Sequence, residues 1–449
     1  MFPNSSSSKG SMDELLELKQ KVLISLSCAK TYIISKFRWL DHSNNTHKSG
    51  GWSQFLEEQQ TELPTVSSTS NGLIALIAAG GKKDSEIVTA AKRLIVEKCR
   101  IDGGWSKPSI ESHCSHTRIT CLALRALLDA DEPHASKPIM DGIGWLIKAQ
   151  NADGGWSILP QDGHSDVTST SYTMRVLSRV LGMHLRSKEA VARGREWLLG
   201  IRNPDFSWGQ EEGKSGTLAH TSEAVEGLLA SGERSEMMSS VREWLITHID
   251  EDDQILERHH TQIPERPHER LVWTHVSREQ ALMALFKLES NIAAPEIMTS
   301  VNKILNKQVN GTYWETKTFP NLAPVWAIRE AVTSLRSYLD YLDIHSSEIA
   351  ILMPVQKLSD EVKWQKERIA QLEARLDGIS LRARLRKVLK FVKKPIPMLT
   401  IITILTAGVY VLLRERFKFP SYADTFAGVM GIIGVSLTIF QIIHELRKR

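Results

Sequence analysis

Cysteine is scarce in this chain of 449 residues: Cys28, Cys99, Cys114 and Cys121 make no CxxC pair and no ladder of spaced thiols. That excludes a disulfide-stapled scaffold and suits a reducing compartment. Sustained apolar–polar alternation is also missing, so a strand-built core is not expected. No glycine-rich phosphate loop, nucleophile elbow, HExxH helix or dinucleotide fingerprint occurs, which leaves the common nucleotide, hydrolase and metalloprotease chemistries without an anchor. The opening Met1-Phe2-Pro3-Asn4 and four serines lack the basic and apolar regions of a signal peptide. Residues 1–11 are expected to form a short disordered tail. Net charge is small, at +4, and the 42% hydrophobic content is that of an ordinary globular protein. The length leaves room for two or three domains and a sizeable core.

What the chain does contain is repetition. Glycine- or aspartate-rich turns ending in tryptophan recur at Gly50-Gly51-Trp52, Asp102-Gly103-Gly104-Trp105, Asp153-Gly154-Gly155-Trp156, Asp205-Phe206-Ser207-Trp208 and Gly311-Thr312-Tyr313-Trp314. The tryptophans lie 53, 51, 52 and 106 residues apart, so a degenerate fifth unit falls between Trp208 and Trp314. A fixed period of this kind marks stacked copies of one module, here six. An amphipathic run precedes each turn, as in Ser187 to Ile201, where Val191, Trp197, Leu198 and Ile201 are apolar at helical spacing. A second, more uniformly apolar run follows each turn, as in Thr117 to Leu128 and Thr168 to Leu181, and predicts a more buried set of helices.

Helical hairpins repeated six times stack as an open superhelix or close as a ring. Trp145 to Trp156 resembles the QW motif of squalene–hopene cyclases: an aromatic–aliphatic pair, three residues, Gln150, then Gly-x-Trp. The six hairpins resemble the α/α toroid shared by those cyclases and the β subunits of protein prenyltransferases, over about residues 12–345. The resemblance implies inner helices around a central cavity, outer helices ringing them, and QW turns bracing the perimeter. Cys99 and Arg202 stand where Gln150 stands, so the full motif is present in one repeat. The expected fold class is all-α, a six-hairpin toroid followed by a coiled-coil helix and two transmembrane helices.

Beyond Asp340 the repeat stops. Val355, Leu358, Val362, Ile369, Leu372, Leu376 and Ile379 follow a three–four spacing, which predicts a coiled coil within a juxtamembrane segment, 350–394, the alternative being a single amphipathic helix docked on the toroid. Seven basic residues from Arg382 to Lys394 precede two apolar stretches, Ile396 to Leu413 and Tyr422 to Ile443, each long enough to cross ~30 Å of hydrocarbon. A transmembrane hairpin over 396–443 and a basic tail over 444–449 follow. Ten basic residues flank the hairpin on its outer ends, against Arg414, Arg416 and Lys418 in the connecting loop. By the positive-inside rule the toroid and both termini are cytoplasmic, in a multi-pass protein of the inner or plasma membrane. The expected partners are membrane lipid and further copies of the chain, through the coiled coil and the hairpin, where Ala423, Ala427 and Gly431 are spaced by four and serve either contact between copies or the packing of the two spans of one hairpin. The basic run more simply contacts anionic lipid heads than nucleic acid, and no nucleic acid partner is expected.

Three groups could carry chemistry. Asp250-Glu251-Asp252-Asp253 has the DxDD form that in class II terpene cyclases supplies a proton, and Asp250, Asp252 and Asp253 are the weak catalytic candidates. The repeat register argues against them: Asp252 lies eight residues after Trp244, as Asp205 lies eight after Trp197, which is an outer turn and not an inner-helix start. His113-Cys114-Ser115-His116 with Cys121 has no recognisable zinc spacing, so no metal and no cofactor are expected. Third, the starts of the second helices carry His116, Arg118, His164, His220, Thr221, His275, Arg278 and Arg329. If those starts ring one mouth of a toroid, helix N-termini and basic side chains together make an anion-binding collar. The alternative is that these are ordinary capping and loop residues.

The function most in keeping with these features is a membrane-anchored sensor or effector: a cytosolic toroid binds an anionic small molecule or a protein, and an oligomerising hairpin responds, in defence or signalling. The resemblance itself implies the alternative, a membrane-attached isoprenoid enzyme, either a terpene cyclase or a prenyltransferase. A scaffold without catalysis is the third reading.

Overall fold

In the computed structural model, the described residues are 12–344 apart from 41–47, 58–62, 107–114, 161–162, 183–184, 251–253, 260–270 and 290–293. The expected coiled coil, basic run, transmembrane hairpin and tail lie outside them. No described helix is long and apolar enough to cross a membrane.

Six helical hairpins run through this region. The outer helices are α1 (Met12–Ser35), α3 (Glu86–Glu97), α5 (Lys137–Lys148), α7 (Leu185–Gly200), α9 (Met237–His248) and α11 (Pro295–Asn306). Their partners are α2 (Val66–Ala78), α4 (Thr117–Asp129), α6 (Val167–Ser178), α8 (Leu218–Ala230), α10 (Ser277–Lys287) and α12 (Val325–Ile344). Outer helices bury one stripe, such as Ile139, Ile143 and Leu146 on α5, whereas α4 and α8 are buried on nearly every face. Each inner helix packs on the inner helices either side, and α12 packs on α2. The ring is closed.

The tryptophan turns explain why the ring holds. Trp105, Trp156 and Trp208 are fully buried, and each indole N–H donates to a carbonyl ten residues earlier, on the preceding outer helix: Ile95, Leu146 and Leu198, all at 2.7 Å. Trp314 does the same to Ile304. The backbone N–H of the first three donates forward to the hydroxyls of Thr120, Thr170 and Thr221 in the next inner helix. One residue therefore pins an outer helix to the following inner one. The turn aspartate adds a third link. Asp102 and Asp153 accept from the glycine N–H two residues on and from Ser115 and Ser165, and Asp102 and Asp205 accept from the indoles of Trp145 and Trp244 in the next hairpin.

Successive turns are also tied to each other through the first N–H groups of inner helices, which have no partner within their own helix. Thr117 donates to Ile158 and Val167 to Gln210, each in the next turn along. Val325 donates to Gln54 at the far end of the chain, so the last unit uses the first to complete the ring.

The third turn shows how tightly the packing is specified. Gly155 sits against Ser165, where a Cβ would lie 2.5 Å from the serine Cβ. In the next turn Ser207 stands in the Gly155 position and Gly216 faces it across the same gap, with the Ser207 hydroxyl 2.6 Å from Asp205. The hydroxyl has changed sides and the space has not. Gly155→Ala is expected to destabilise the protein by about 1–3 kcal/mol through this overpacking, read as a lower denaturation midpoint at unchanged slope.

Among the described residues three short antiparallel hairpins punctuate the otherwise all-α ring: β1 (Arg38–Leu40) with β2 (Ser49–Gly51), β3 (Gln254–His259) with β4 (Leu271–Val276), and β5 (Gln308–Val309) with β6 (Tyr313–Trp314). The β3–β4 ribbon, registered Gln254 to Val276 and His259 to Leu271, takes the place of the tryptophan turn in the degenerate fifth unit. Strands of at most six residues are too short to show as sustained alternation.

Candidate functional site

The inner helices enclose a cavity of about 800 Å³, counting its opening to solvent. Its level is set by the bracing threonines. Leu122, Tyr172 and Glu223 each follow Thr120, Thr170 and Thr221 by two residues, and Asn71, Gln280 and Glu330 stand at the same level on the other inner helices. All but Glu223 line the cavity. One turn nearer the helix starts, Ser67, Arg118, Thr168, Val276 and Trp326 also line it. The apolar share comes from Ile119, Leu122, Val276 and Val325, with the rings of Tyr172 and Trp326.

The polar groups are tightly engaged. Arg118 pairs with Asp166 at 2.7 Å, and both side chains are under a tenth exposed. Asp166 also caps α6, accepting from the Ser169 N–H, so the helix start holds the anion that holds the arginine. Glu223, itself buried, accepts from Thr168 at 2.5 Å and from Gln280 at 3.1 Å. Arg329 pairs with its neighbour Glu330.

Glu279 stands apart. It precedes the cavity-lining Gln280, is 4% exposed, and its Oε2 has no hydrogen-bond partner among the described residues. Burial pushes its carboxyl up to about 7, with Glu330 adding to the rise while its own backbone N–H and Arg278 oppose it. Its carboxyl therefore titrates near neutral pH and keeps its proton about half of the time there; it adjoins the cavity-lining Gln280 in the chain and is not itself among the lining residues.

Below this level the bore continues. Leu122, Tyr172 and Arg329 also border a small chamber with Cys121, Arg125 and Arg175, and the last two open in turn onto a vestibule at the opposite mouth. Burial pushes the Tyr172 phenol up to about 12, with Glu223 contributing.

The fold and this interior invite comparison with known proteins. The type II terpene cyclase MstE from Scytonema superimposes with a TM-score of 0.50 at 12% sequence identity, over 72% of this chain and 98% of that one. This toroid has the terpene-cyclase fold. In sequence, 131 residues are 35% identical to the drimenyl diphosphate synthase of Streptantibioticus cattleyicolor, covering 27% of this chain and 24% of that protein. A further 29% identity over 140 residues links it to the ent-copalyl diphosphate synthase of a Streptomyces strain, covering 30% of this chain and 26% of that enzyme. A probable squalene–hopene cyclase of Sinorhizobium fredii is 28% identical over 154 residues, 24% of its length. The chain thus spans about a quarter of the length of the curated relatives it matches. No family model matches.

Within this terpene-cyclase fold, the expected site residues do not form one collar. Arg118 and Arg329 reach the cavity. His220 is 2% exposed with its Nδ1 2.7 Å from the Thr217 hydroxyl, and Thr221 braces Trp208, so both serve the ring's own packing. His116 is fully buried at the N-cap of α4, His164 is exposed, and Arg278 is buried, 3.8 Å from Asp250. His275 lies in β4. Equivalent positions in the sequence do not all face one mouth, because capping geometry directs some of these side chains into the turns instead.

Asp250 lies just past the fifth outer helix, exposed and paired with Lys303 at 2.5 Å, and is not among the residues lining the cavity. Asp252 and Asp253 lie outside the described residues. The inner-helix start closest in form to DxDD is Asp166-Val167-Thr168-Ser169, which keeps the first aspartate and has hydroxyls at the third and fourth places. Among the described residues no cluster of ligands suited to a metal occurs. Cys121 is buried 3.4 Å from Thr173, and burial pushes its thiol up to about 12, far from the thiolate that zinc requires.

Glu223, Glu226, Glu279, Arg125 and Arg175 were missed from sequence. For all but Glu279 a signal was nonetheless there. Leu122 and Arg125, Tyr172 and Arg175, and Glu223 and Glu226 are pairs three apart at equivalent positions, in helices otherwise made of small and apolar residues. Charges recurring at one register of a buried helix mark the lining of a polar bore.

Proposed function

We propose that the toroid is a terpene-cyclase-like isoprenoid enzyme: it takes a prenyl chain into the upper cavity and transfers to it a proton from Glu279. The observation that carries this reading is Glu279 itself, a buried carboxyl raised to about 7 with an unpartnered oxygen. A Brønsted acid that protonates an alkene has to arrive at the substrate still carrying its proton. Tyr172 and Trp326 offer the aromatic faces that attract a developing carbocation, and Ile119, Leu122, Val276 and Val325 offer apolar contact to the chain. The names of the relatives support the same substrate class.

The hydroxyls of Thr168 and Ser169, where a DxDD tetrad has carboxylates, favour a second reading. In it the toroid binds the isoprenoid without turnover and serves as the sensor of a membrane-anchored, oligomerising effector. Membrane insertion of 396–443, self-association through 350–394 and a cytoplasmic toroid are part of this proposal.

Incubation of the full-length protein with farnesyl diphosphate, geranylgeranyl diphosphate and squalene, followed by mass spectrometry of the extract, separates the two. The enzyme reading expects cyclised product from at least one substrate, reduced roughly 100-fold or more by Glu279→Gln. Tight binding with no product from any of the three supports the sensor, and neither binding nor product sinks both.

A further inference from the structure

The mouth opposite the cavity carries a charge excess that the described residues do not neutralise. Arg125 on α4, Arg175 and Arg179 at the end of α6, Arg234 after α8 and Lys287 at the end of α10 converge on one vestibule of about 990 Å³, counting its open side. Among the described residues the carboxylates lining it are Asp129 and Glu226. These two are shared out completely: Asp129 takes Arg125 at 3.5 Å and Arg179 at 2.6 Å, while Glu226 takes Arg175 at 2.6 Å and Lys287.

Helix C-termini attract cations, and that accounts for part of the cluster. Arg234 fits this account, since it donates to the carbonyls of Leu229 and Glu233. The others do not, because among the described residues their partners are carboxylates and not helix carbonyls. Setting Arg234 aside leaves four cations on two anions. Arg125 and Arg175 are near enough to repel each other, and burial together with the Arg175 charge holds the Arg125 guanidinium below the ordinary arginine value. Like charges gathered in a partly buried space are costly unless an anion joins them. Guanidinium forks from adjacent helices suit the several oxygens of a phosphate or diphosphate.

We infer that this vestibule is a binding site for a phosphate-bearing ligand, separate from the cavity at the other mouth. It stands whether or not the toroid is an enzyme. The phosphate belongs to a small diphosphate or to a lipid headgroup, which share this chemistry.

Calorimetric titration of the full-length protein with inorganic diphosphate, and in parallel with a water-soluble short-chain phosphatidic acid, tests it. At least one probe is expected to bind, and Arg179→Gln and Arg125→Gln each to weaken it tenfold or more, with Arg179→Lys retaining most of the affinity. Arg179 is more than a third exposed, so its variant keeps a folded protein, verified by an unchanged melting temperature. Binding of diphosphate identifies a soluble ligand; binding of the lipid alone identifies a headgroup. Failure of both probes on folded wild type, or binding untouched by both glutamine variants, overturns the inference.

Discussion

Trp156→Ala is expected to lower the stability of the toroid by about 3–5 kcal/mol, a large part of what an ordinary domain has to lose. The indole is fully buried, so its removal opens a cavity between α5 and α6. It also strands the Leu146 carbonyl, which accepts the indole N–H at 2.7 Å. Gly194 packs against the same ring, where a Cβ would lie 2.8 Å from it, so the neighbouring hairpin loses a surface as well. Trp156→Phe retains most of the volume and loses the hydrogen bond, and its expected cost is roughly 1–3 kcal/mol. Chemical denaturation of the two variants measures both. Equal costs for the two variants would mean that the hydrogen bond, and not the packing, holds the turn.

Glu226→Gln is expected to be comparably damaging, at about 3–5 kcal/mol, because it removes the anion shared by Arg175 and Lys287 in a nearly fully buried position. The half-exposed Lys287 can turn to water, but Arg175 cannot, so most of the loss falls on the arginine. The pH dependence carries a sharper signature. Burial alone would raise the Glu226 carboxyl, yet Arg175 and Lys287 outweigh it and hold it near 2, below its ordinary 4.5. A carboxyl held low contributes stability that is present above its ordinary value and lost as pH falls from 4.5 toward 2. Glu279 acts in the opposite direction. With its carboxyl raised to about 7, its contribution is full below 4.5 and lost as pH rises through 7. Stability measured across pH should therefore fall on both sides, with Glu226→Gln flattening the acid limb and Glu279→Gln the neutral one. A wild-type curve flat between pH 4.5 and 8 would contradict the protonated state assigned to Glu279.

The ring was legible because its signals are local and repeated. Asp153-Gly154-Gly155-Trp156 encodes an Asx-stabilised turn at Gly154, whose φ of +98° suits glycine, and a tryptophan sized for one buried slot. Repetition every 52 or so residues then announces the number of units, even where β3 and β4 replace a turn. Closure was less legible, since it depends on pairs such as Val325 with Gln54, far apart in the chain. The register also removed Asp250 from the cavity, and the structure places it at an exposed outer turn. The bore was not read from sequence. Equivalent positions such as Cys121, Ser171 and Glu279 share a register but not a chemistry, and which of them meets the cavity depends on side-chain packing around a closed ring. Polar residues at helix starts were expected to face a ligand. His220 and Thr221 instead satisfy the backbone and the tryptophans, which compete for the same donors and acceptors.

The central claim is that the upper cavity receives a prenyl chain beside a protonated Glu279. A crystal structure of the full-length protein with a bound, non-reactive prenyl diphosphate analogue tests it most directly. The prenyl chain should lie between Tyr172 and Trp326, with a double bond close enough to Glu279 to take its proton. A prenyl chain bound on the outer surface, or a cavity that stays free of it at saturating ligand, would contradict the account.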